Sequence, residues 1–555
     1  MADARLWSFI TNTHDFNDRL MEWLKRSKDH PLRVRYTLSE NDLQRQVVFP
    51  GITQKIKDLH LSGHFKYYAP FFGDVQSLPL LQRLKVECRN TADSLFRIPE
   101  FIFEGNAGLH DIDIRGHAII QTAHLTSLRN LTRLHLEFST DAAVLPSLSD
   151  LLQTLRQSPA LQYLGIHESV TSDGDGEVTF NGPVSLTLLQ DLRLQLDVVV
   201  MDLLLQAIKI PPATYLSLTP RYIQESYGLS SHFTHLLVWI GQHFCSKGAP
   251  FLRSVRLRAD GSSHTVVSAH HTSECPSLFN HEARPRFLII VHPSTQLYTR
   301  KLLTKILYAL PIRHEGITLD ATEIMSGGKG GLTEPSWKRI FECIPVPMVI
   351  NAGNNAGTSA MLSGLLAAMK TLNGPKKLKD RWGVDLRLLR LVINASMHPH
   401  YFGTHPDVGA PHSSAYRVLV ELLTLYQALD VPWKRTGRRI PSLEVTGVSG
   451  EHPHVYQFCR ELWEVSDELI LEGKDWHPVK IRNDHKRFIK RMKERRAQGK
   501  DIIVPLSTED ENLSEEEPIL PRQTQEAPKK FSDRIELFPD GLKHMHEEEF
   551  GKVMV

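Results

Sequence analysis

The sequence has few cysteines and no motif in which they are paired. Its five cysteines are odd in number, and no C-x-x-C occurs among them. A disulfide framework or a zinc finger needs cysteines at short, regular spacing. The sequence therefore predicts neither of these, and it favours a reducing compartment.

The chain also lacks a strong net charge and a long apolar run. Lys and Arg number 65 against 63 for Asp and Glu, so no global field attracts nucleic acid or an anionic surface. The most apolar window, 197–210, carries charges and is too short to span a bilayer. The N-terminus has no basic segment followed by an apolar run, so no signal peptide is predicted. These absences predict a cytoplasmic or nuclear protein with no membrane partner, and they disfavour nucleic acid as a partner.

Recognised catalytic motifs are missing too. The segment 326–333, SGGKGGLT, resembles a phosphate-binding loop, but Lys329 is followed by Gly330 where the Walker A motif needs Ser or Thr. The histidine-rich segment 398–405 shows neither H-E-x-x-H nor a cysteine at ligand spacing. We therefore predict that the protein is not an enzyme and has no catalytic residue, no cofactor and no metal ligand. A hydrolase that uses a His-rich loop is the disfavoured alternative.

What the sequence does contain is a recurring L-x-x-L-x-L pattern. In the segment 128–137, LRNLTRLHLE, the pattern is formed by Leu131, Leu134 and Leu136. The middle positions of six matches are separated by 25, 28, 22, 30 and 28 residues, which is close to the unit of leucine-rich repeats. One such strand cannot bury its apolar edge alone, so the pattern must repeat for the strands to stack. The six matches lie at 56–61, 81–86, 109–114, 131–136, 161–166 and 189–194.

The segments between and after these matches predict further strands, helices and loops. Apolar residues in 148–157 follow helical spacing, and Ser158-Pro159 ends that helix. Further matches lie at 252–257, 386–391 and 440–445, and other strands are predicted at 32–38, 287–291, 317–319 and 346–350. Other helices are predicted at 16–26, 234–244, 360–372 and 416–429. Long loops at 169–182, 259–284 and 396–414 are predicted to project from the rim.

Together these patterns predict an α/β fold, namely an irregular leucine-rich-repeat solenoid with a curved parallel sheet, helices on its convex side and a disordered charged tail. The predicted parts are a capping helix and strand at 1–50, repeats at 51–260, degenerate repeats at 261–480 and the tail at 481–555. A basic run at 486–496 is interpreted either as a nuclear localisation or anionic-partner patch, or as a solvated terminal helix. The alternative fold is an unrelated α/β domain that uses L-x-x-L-x-L strands.

The N-terminal segment resembles fungal F-box proteins. The resemblance is carried by RLWSFI at 5–10, RLMEWLKRS at 19–27 and HPLRV at 30–34. In that family an F-box binds the adaptor of a cullin–RING ubiquitin ligase, and leucine-rich repeats hold the protein substrate. The F-box helix expected before Arg5 is not in the sequence. The resemblance therefore implies the substrate-binding role, and it implies an adaptor partner only where an F-box precedes Met1.

The candidate binding residues are the outward positions of the predicted strands. Alternate strand residues face opposite sides of a sheet, so the residues between the leucines are expected to line an exposed concave face. Mixed charge with Tyr and Arg suits recognition of a protein partner, because these residue types often anchor interfaces. The alternatives are that they are merely solvated strand residues, or that the chain is a scaffold with no link to a ligase. The candidates are Asp58, His60, Arg83, Lys85, Asp111, Asp113, Arg115, Arg133, His135, Glu137, Tyr163, His167, Arg193, Arg256 and Arg258.

Overall fold

The protein is an α/β chain in which helices pack against a large, mostly parallel sheet. The computed structural model describes residues 8–11, 22, 24–38, 52–73, 75–89, 95–103, 106, 108–138, 145–171, 182–225, 228–259, 265–271, 285–291, 296–312, 317–324, 332–343, 347–352, 360–361, 363–365, 367–368, 390–394, 440–446, 462–464, 466–471, 474–475 and 490. Within these ranges, no helix combines the length and the apolar character that crossing a membrane requires.

The strands are short and follow one another along the chain. The first twelve are β1 Phe9–Thr11, β2 Leu32–Leu38, β3 Ile56–His64, β4 Arg83–Arg89, β5 Phe96–Arg97, β6 Asp111–Gly116, β7 Ala118–Ile119, β8 Arg133–Phe138, β9 Tyr163–His167, β10 Val184–Ser185, β11 Asp191–Asp197 and β12 Ile208–Lys209. The others are β13 Tyr215–Arg221, β14 Gln224–Glu225, β15 Gly228–Leu229, β16 Ser254–Ala259, β17 Thr265–His270, β18 Phe287–Val291, β19 Ile317–Ile324, β20 Pro347–Ala352, β21 Arg390–Asn394, β22 Ile440–Thr446, β23 Ser466–Leu471 and β24 Lys474–Asp475.

Helices lie between many of these strands. Within the described residues they are α1 Tyr68–Gly73, α2 Thr122–Ser127, α3 Leu148–Arg156, α4 Val198–Ala207, α5 Ser231–Cys245, α6 Gln296–Ala309 and α7 Glu334–Cys343. Short 3-10 turns lie at Thr53–Lys55, Phe65–Tyr67 and Glu100–Ile102.

In the part of the chain that the structure describes, the main sheet contains 18 strands, most of which pair with the next sheet strand along the chain. From β1 the neighbours run β2, β3, β4, β6, β8, β9, β11 and β13, and every one of these pairs is parallel. The sheet then runs through β18, β17, β16, β19, β20, β21, β22 and β23 to β24, and it is open rather than closed into a barrel. A parallel step needs a crossover segment between its strands, which is where the helices lie.

The leucine positions of the strands form the core, as their spacing predicts. Leu131, Leu134 and Leu136 are all fully buried, and the same holds for the corresponding positions of the neighbouring strands. Helix α3 adds Leu148 and its other apolar residues to the same cluster. Its first turn is closed by a capping box, in which Asp150 N donates to Ser147 Oγ at 3.2 Å and Ser147 N donates to the Asp150 carboxylate at 3.1 Å.

Several predicted element bounds are confirmed, and others shift. The strands predicted at 32–38 and 287–291 match at both ends, and the helix predicted at 148–157 ends one residue earlier, at Arg156. The helix predicted at 234–244 begins earlier, at Ser231, where the Ser230 hydroxyl accepts from His232 N at 3.3 Å. The strand predicted at 317–319 continues to Ile324, and the one predicted at 346–350 lies at Pro347–Ala352.

The prediction of a plain loop at 259–284 is wrong. Residues 265–270 form strand β17, which pairs antiparallel with β16 on one side and with β18 on the other. This insertion separates β13 from β16 and interrupts the parallel succession of neighbouring strands. One partner of β17, the strand β18, is distant from it in sequence, so the local sequence pattern could not reveal β17.

Several predictions lie wholly or mostly outside the described residues. They are the tail, the helix at 416–429, the loop at 396–414 with its histidines, the phosphate-loop-like segment and most of the helix at 16–26. The loop predicted at 169–182 is described only at its ends. Ser169 is fully buried there, and its hydroxyl donates to the Leu136 carbonyl at 3.0 Å, so this end is anchored to β8.

Candidate binding face

The parallel register places the polar strand residues of β2 to β13 in three rows on the side of the sheet opposite the leucines. We call these rows the polar face. The first row is Arg33, Asp58, Arg83, Asp111, Arg133, Tyr163, Asp191 and Tyr215. The second row is Arg35, His60, Lys85, Asp113, His135, Gly165, Arg193 and Ser217, and the third is Thr37, Ser62, Glu87, Arg115, Glu137, His167, Gln195 and Thr219.

Charges alternate along the first row. Asp58 lies 3.2 Å from Arg33, and Arg83 lies 4.0 Å from Asp58 and 3.9 Å from Asp111. Arg133 approaches Asp111 from the other side at 3.7 Å. Exposed pairs of this kind contribute little stability, about 0–1 kcal/mol each, so their main effect is to orient the side chains.

The rows from β2 to β8 form a groove of about 460 Å³. Two buried atoms in it, Asp58 Oδ1 and His60 Nε2, have no hydrogen-bond partner within the described part of the chain. Both atoms are enclosed by neighbouring side chains rather than open to the groove, since Arg33 lies 3.2 Å from the other Asp58 oxygen and Glu87 Oε1 lies 3.8 Å from His60 Nε2. The groove is lined by Phe9, Arg33, Val34, Arg35, Asp58, Leu59, His60, Arg83, Leu84, Lys85, Asp111, Asp113 and Arg133.

Tyr163 forms the aromatic centre of the first row. The Arg133 guanidinium lies 3.9 Å from the centroid of its ring, and the Arg193 guanidinium lies 5.6 Å from it. Two hydrogen bonds of 3.0 Å to Asp191 hold the Arg193 fork in place. Burial raises the pKa of the Tyr163 hydroxyl, so it stays protonated at neutral pH. Tyr163 was expected to face solvent but is only 9% exposed, so the arginines stacked on it, rather than its ring, form the surface at this point.

A cluster of polar side chains next to Tyr163 is more buried than the pattern predicts. Asp113 is 5% exposed and His135 3%, although both were expected to face solvent. Arg115 donates to the two Asp113 oxygens at 2.8 and 3.1 Å. His135 Nδ1 lies 3.2 Å from the Tyr163 hydroxyl, and its Nε2 lies 3.4 Å from Glu137 Oε2.

Gly165 explains this burial. It is the partner of His135 in the second row, and a Cβ there would lie 2.2 Å from His135 Nδ1 and 2.9 Å from the Tyr163 hydroxyl. The missing side chain therefore makes the space in which the imidazole and the phenol meet. Because His135 and Tyr163 fill that space, they are covered by their neighbours rather than by solvent.

Burial also sets the protonation state of the histidines on the polar face. It lowers the pKa of His135 to about 4, against the pull of the nearby Asp113 carboxylate. Burial likewise lowers the pKa of His60 and of His167. These imidazoles are therefore neutral near pH 7, where they can donate from one ring nitrogen and accept at the other.

We expect the stability of the fold to decrease as the pH is lowered from about 6.5 to about 4. The folded pKa of His135 lies below its ordinary 6.5, so in this window the unfolded chain binds a proton that the folded chain excludes. The stabilisation is complete above pH 6.5 and is lost as the pH falls. Urea denaturation at several pH values measures it.

A matched variant isolates the contribution of His135. His135→Gln removes one titrating group, so its slope of stability against pH should be shallower by up to about 1.4 kcal/mol per pH unit. The stability of the variant should still decrease as the pH falls, because burial also lowers the pKa of His243 and of His270 to about 4. An unchanged slope in His135→Gln would contradict a neutral His135.

The last two predicted residues lie elsewhere in the sheet. Arg256 and Arg258 are on β16, which β17 and β18 separate from β13, so they are not part of the polar face. Arg256 Nε donates to Asp320 Oδ2 at 2.7 Å, and both side chains are nearly buried. Arg258 is exposed. Arg256 therefore supports the structure at this place instead of offering a free binding group.

The polar face contains residues that the leucine pattern does not identify. Arg33 and Arg35 lie on β2, and Tyr215 lies on β13, where Ala213 stands at the first leucine position of the pattern. Asp191 and Gly165 also belong to the rows. The outward positions of the strand predicted at 32–38 could have identified the two arginines, since the alternation of that strand was recognised.

No protein-family model matches the sequence, and no curated protein matches it.

Proposed function

We propose that the chain is a leucine-rich-repeat protein that binds a protein partner on the polar face, in the manner of the substrate-recognition part of an F-box subunit. The groove at β2 to β8 supports this most directly, because charged side chains of both signs line it and Arg133, at its edge, stacks on Tyr163. No catalytic chemistry is proposed for this face.

The repeat architecture of the proposal rests on the leucine spacing and on the pairing of successive strands. In a leucine-rich-repeat solenoid each unit contributes one strand to a curved parallel sheet, and the helices lie on the convex side. The residue-by-residue register from β2 to β13 is what such stacking produces. In this architecture the polar face would be the concave surface, which suits an extended partner.

Arg83→Ala combined with Arg133→Ala is expected to weaken partner binding at least about 10-fold. Arg83 lies between two carboxylates in the groove, and Arg133 lies over the Tyr163 ring. Arginines and tyrosines are enriched among the few interface residues whose truncation costs about 2 kcal/mol or more. A partner isolated by affinity purification of the full chain, then purified, allows the Kd to be measured by calorimetry.

Arg156→Ala is the matched control, because Arg156 is exposed on α3, outside the polar face. It should bind the partner as the parent does, and circular dichroism checks that all three proteins are folded. Binding that survives the double variant but is lost with Arg156→Ala would place the interface on the helices and refute the proposal.

The link to ubiquitination is a separate part of the proposal. A ligase adaptor is expected as a second partner only for a product in which an F-box precedes Met1. Co-purification of the adaptor with such a product supports the receptor role. Partner binding without the adaptor favours the alternative, a scaffold independent of the ligase.

A further inference from the structure

Helices α4 and α5 bring three possible metal ligands together, away from the polar face. The Asp202 carboxylate is 1% exposed, and its ion pairs within the described residues come from two histidines of α5. His232 Nδ1 lies 2.8 Å from Asp202 Oδ2, and His235 Nδ1 lies 3.4 Å from the same oxygen. The three ligand atoms all lie within 4.8 Å of one another.

The local structure explains why these groups meet. His232 and His235 are three residues apart on α5, so they lie on one side of the helix. The α4 residue Gln206, one turn beyond Asp202, donates from Nε2 to Asp202 Oδ1 at 2.7 Å. That bond fixes the carboxylate and leaves Oδ2 toward the histidines. Metal-binding carboxylates are commonly oriented by outer hydrogen bonds of this kind.

A buried carboxylate is costly unless positive charge compensates it. Here its neighbours are imidazoles, and their exposure rises outward, from 34% of the His232 side chain to 59% of that of His235. The cluster is therefore closed on the Asp202 side and open to solvent on the His235 side. This provides an entry path for an ion and room for a water ligand.

We propose that Asp202, His232 and His235 bind a divalent transition-metal ion of the zinc class, with water at the fourth position. Ligand atoms around tetrahedral zinc lie about 2.0–2.1 Å from the ion and so roughly 3.3 Å from one another. The 3.4 Å between His235 Nδ1 and Asp202 Oδ2 is already close to this value. The 2.8 Å between His232 Nδ1 and Asp202 Oδ2 must increase by about half an ångström for an ion to be bound between them. Two imidazoles with one carboxylate suit zinc and its neighbours in the transition series.

A second group of metal-binding types, His135, Glu137 and His167, also has its ligand atoms within 4.8 Å. It is less suited to a cation, because Arg115 pairs with Glu137 in the strand register. In addition, the Tyr163 hydroxyl lies within hydrogen-bond distance of His135 Nδ1. The helix cluster of Asp202, His232 and His235 is therefore the better site for a cation, and it does not depend on partner binding to the polar face.

Zinc binding by the tag-free full chain tests the proposal. The protein is treated with chelator, desalted, loaded with zinc chloride and analysed for metal by mass spectrometry. The parent is expected to hold one more equivalent of zinc than His235→Ala, whose side chain is mostly exposed, so that folding is little affected. Zinc should raise the thermal midpoint of the parent, and this rise should be smaller in the variant. Cobalt in place of zinc should give the parent a tetrahedral visible absorption that His235→Ala lacks.

His30→Ala serves as the control, because His30 is exposed and distant in sequence from the cluster. The His30→Ala variant should bind as much zinc as the parent. Zinc bound elsewhere on the chain contributes equally to the parent and to His235→Ala, so it does not affect the difference between their zinc contents. His232→Ala should lose the same equivalent as His235→Ala. Equal zinc content in the parent and in both histidine variants would overturn the proposal. So would loss of the equivalent in His167→Ala with retention in His235→Ala.

Discussion

Arg256→Ala is expected to lower the free energy of unfolding by about 3–5 kcal/mol, which is the usual effect of removing one partner of a buried ion pair. Its guanidinium bonds Asp320 at 2.7 Å, and the two side chains are only 13% and 5% exposed. The variant leaves the Asp320 carboxylate in the interior without that guanidinium. Urea denaturation followed by circular dichroism measures the loss.

Arg258→Ala is the control on the same strand. Arg258 is exposed two residues further along β16, so the same truncation should change stability by less than about 0.5 kcal/mol. A double variant, Arg256→Met with Asp320→Leu, should recover much of the lost stability, because it removes both buried charges. Equal losses for Arg256→Ala and Arg258→Ala would show that the buried pair is not what stabilises this region.

Gly116→Ala is expected to destabilise the fold by about 2–4 kcal/mol. Gly116 has φ +80°, and a left-handed conformation costs an L-residue roughly 1–2 kcal/mol. A Cβ there would also lie 2.1 Å from the Cys88 carbonyl oxygen of the neighbouring strand, and forced overpacking adds about 1–3 kcal/mol. That carbonyl cannot easily move, because it accepts a hydrogen bond from His117 N at 3.0 Å. The same denaturation experiment measures the effect.

Gly108→Ala provides the comparison at the other end of β6. The nearest atom to a Cβ at this position is the Leu81 carbonyl oxygen at 3.7 Å, which is an ordinary contact. Its φ is not in the left-handed range, so alanine should change stability by less than about 1 kcal/mol. Similar midpoints for the two glycine variants would mean that β6 can shift away from Cys88.

The strands and helices predicted best are those whose signal is local. The alternation in Leu32–Leu38 and Phe287–Val291 and the leucine spacing of α3 each lie within one segment, so the sequence shows them directly. Strand β17 was missed because it is held by pairing with β16 and β18 rather than by a pattern of its own. Register could be inferred only where the leucine pattern repeated, since the buried face then fixes it.

For the candidate site, the sequence identified which residues point away from the core but not how they interact. Glu137 and Arg133 remain partly exposed, as expected, whereas His135 is buried because a residue 30 positions later in the chain is glycine. The strand pattern predicts Arg256 as a binding residue, yet its partner Asp320 lies 64 residues away in sequence. Interactions across such separations are decided by which strands and helices become neighbours.

The amino-acid sequence by itself determined the α/β class, the leucine core and the polar side of the strands, because periodic burial depends only on residues within one element. The tertiary structure alone decided the antiparallel insertion, the groove lined by charges of both signs, and the meeting of Asp202 with two histidines of another helix. The physical reason is that pairing, burial and charge compensation between elements depend on distances in space, and residues far apart in the chain set those distances.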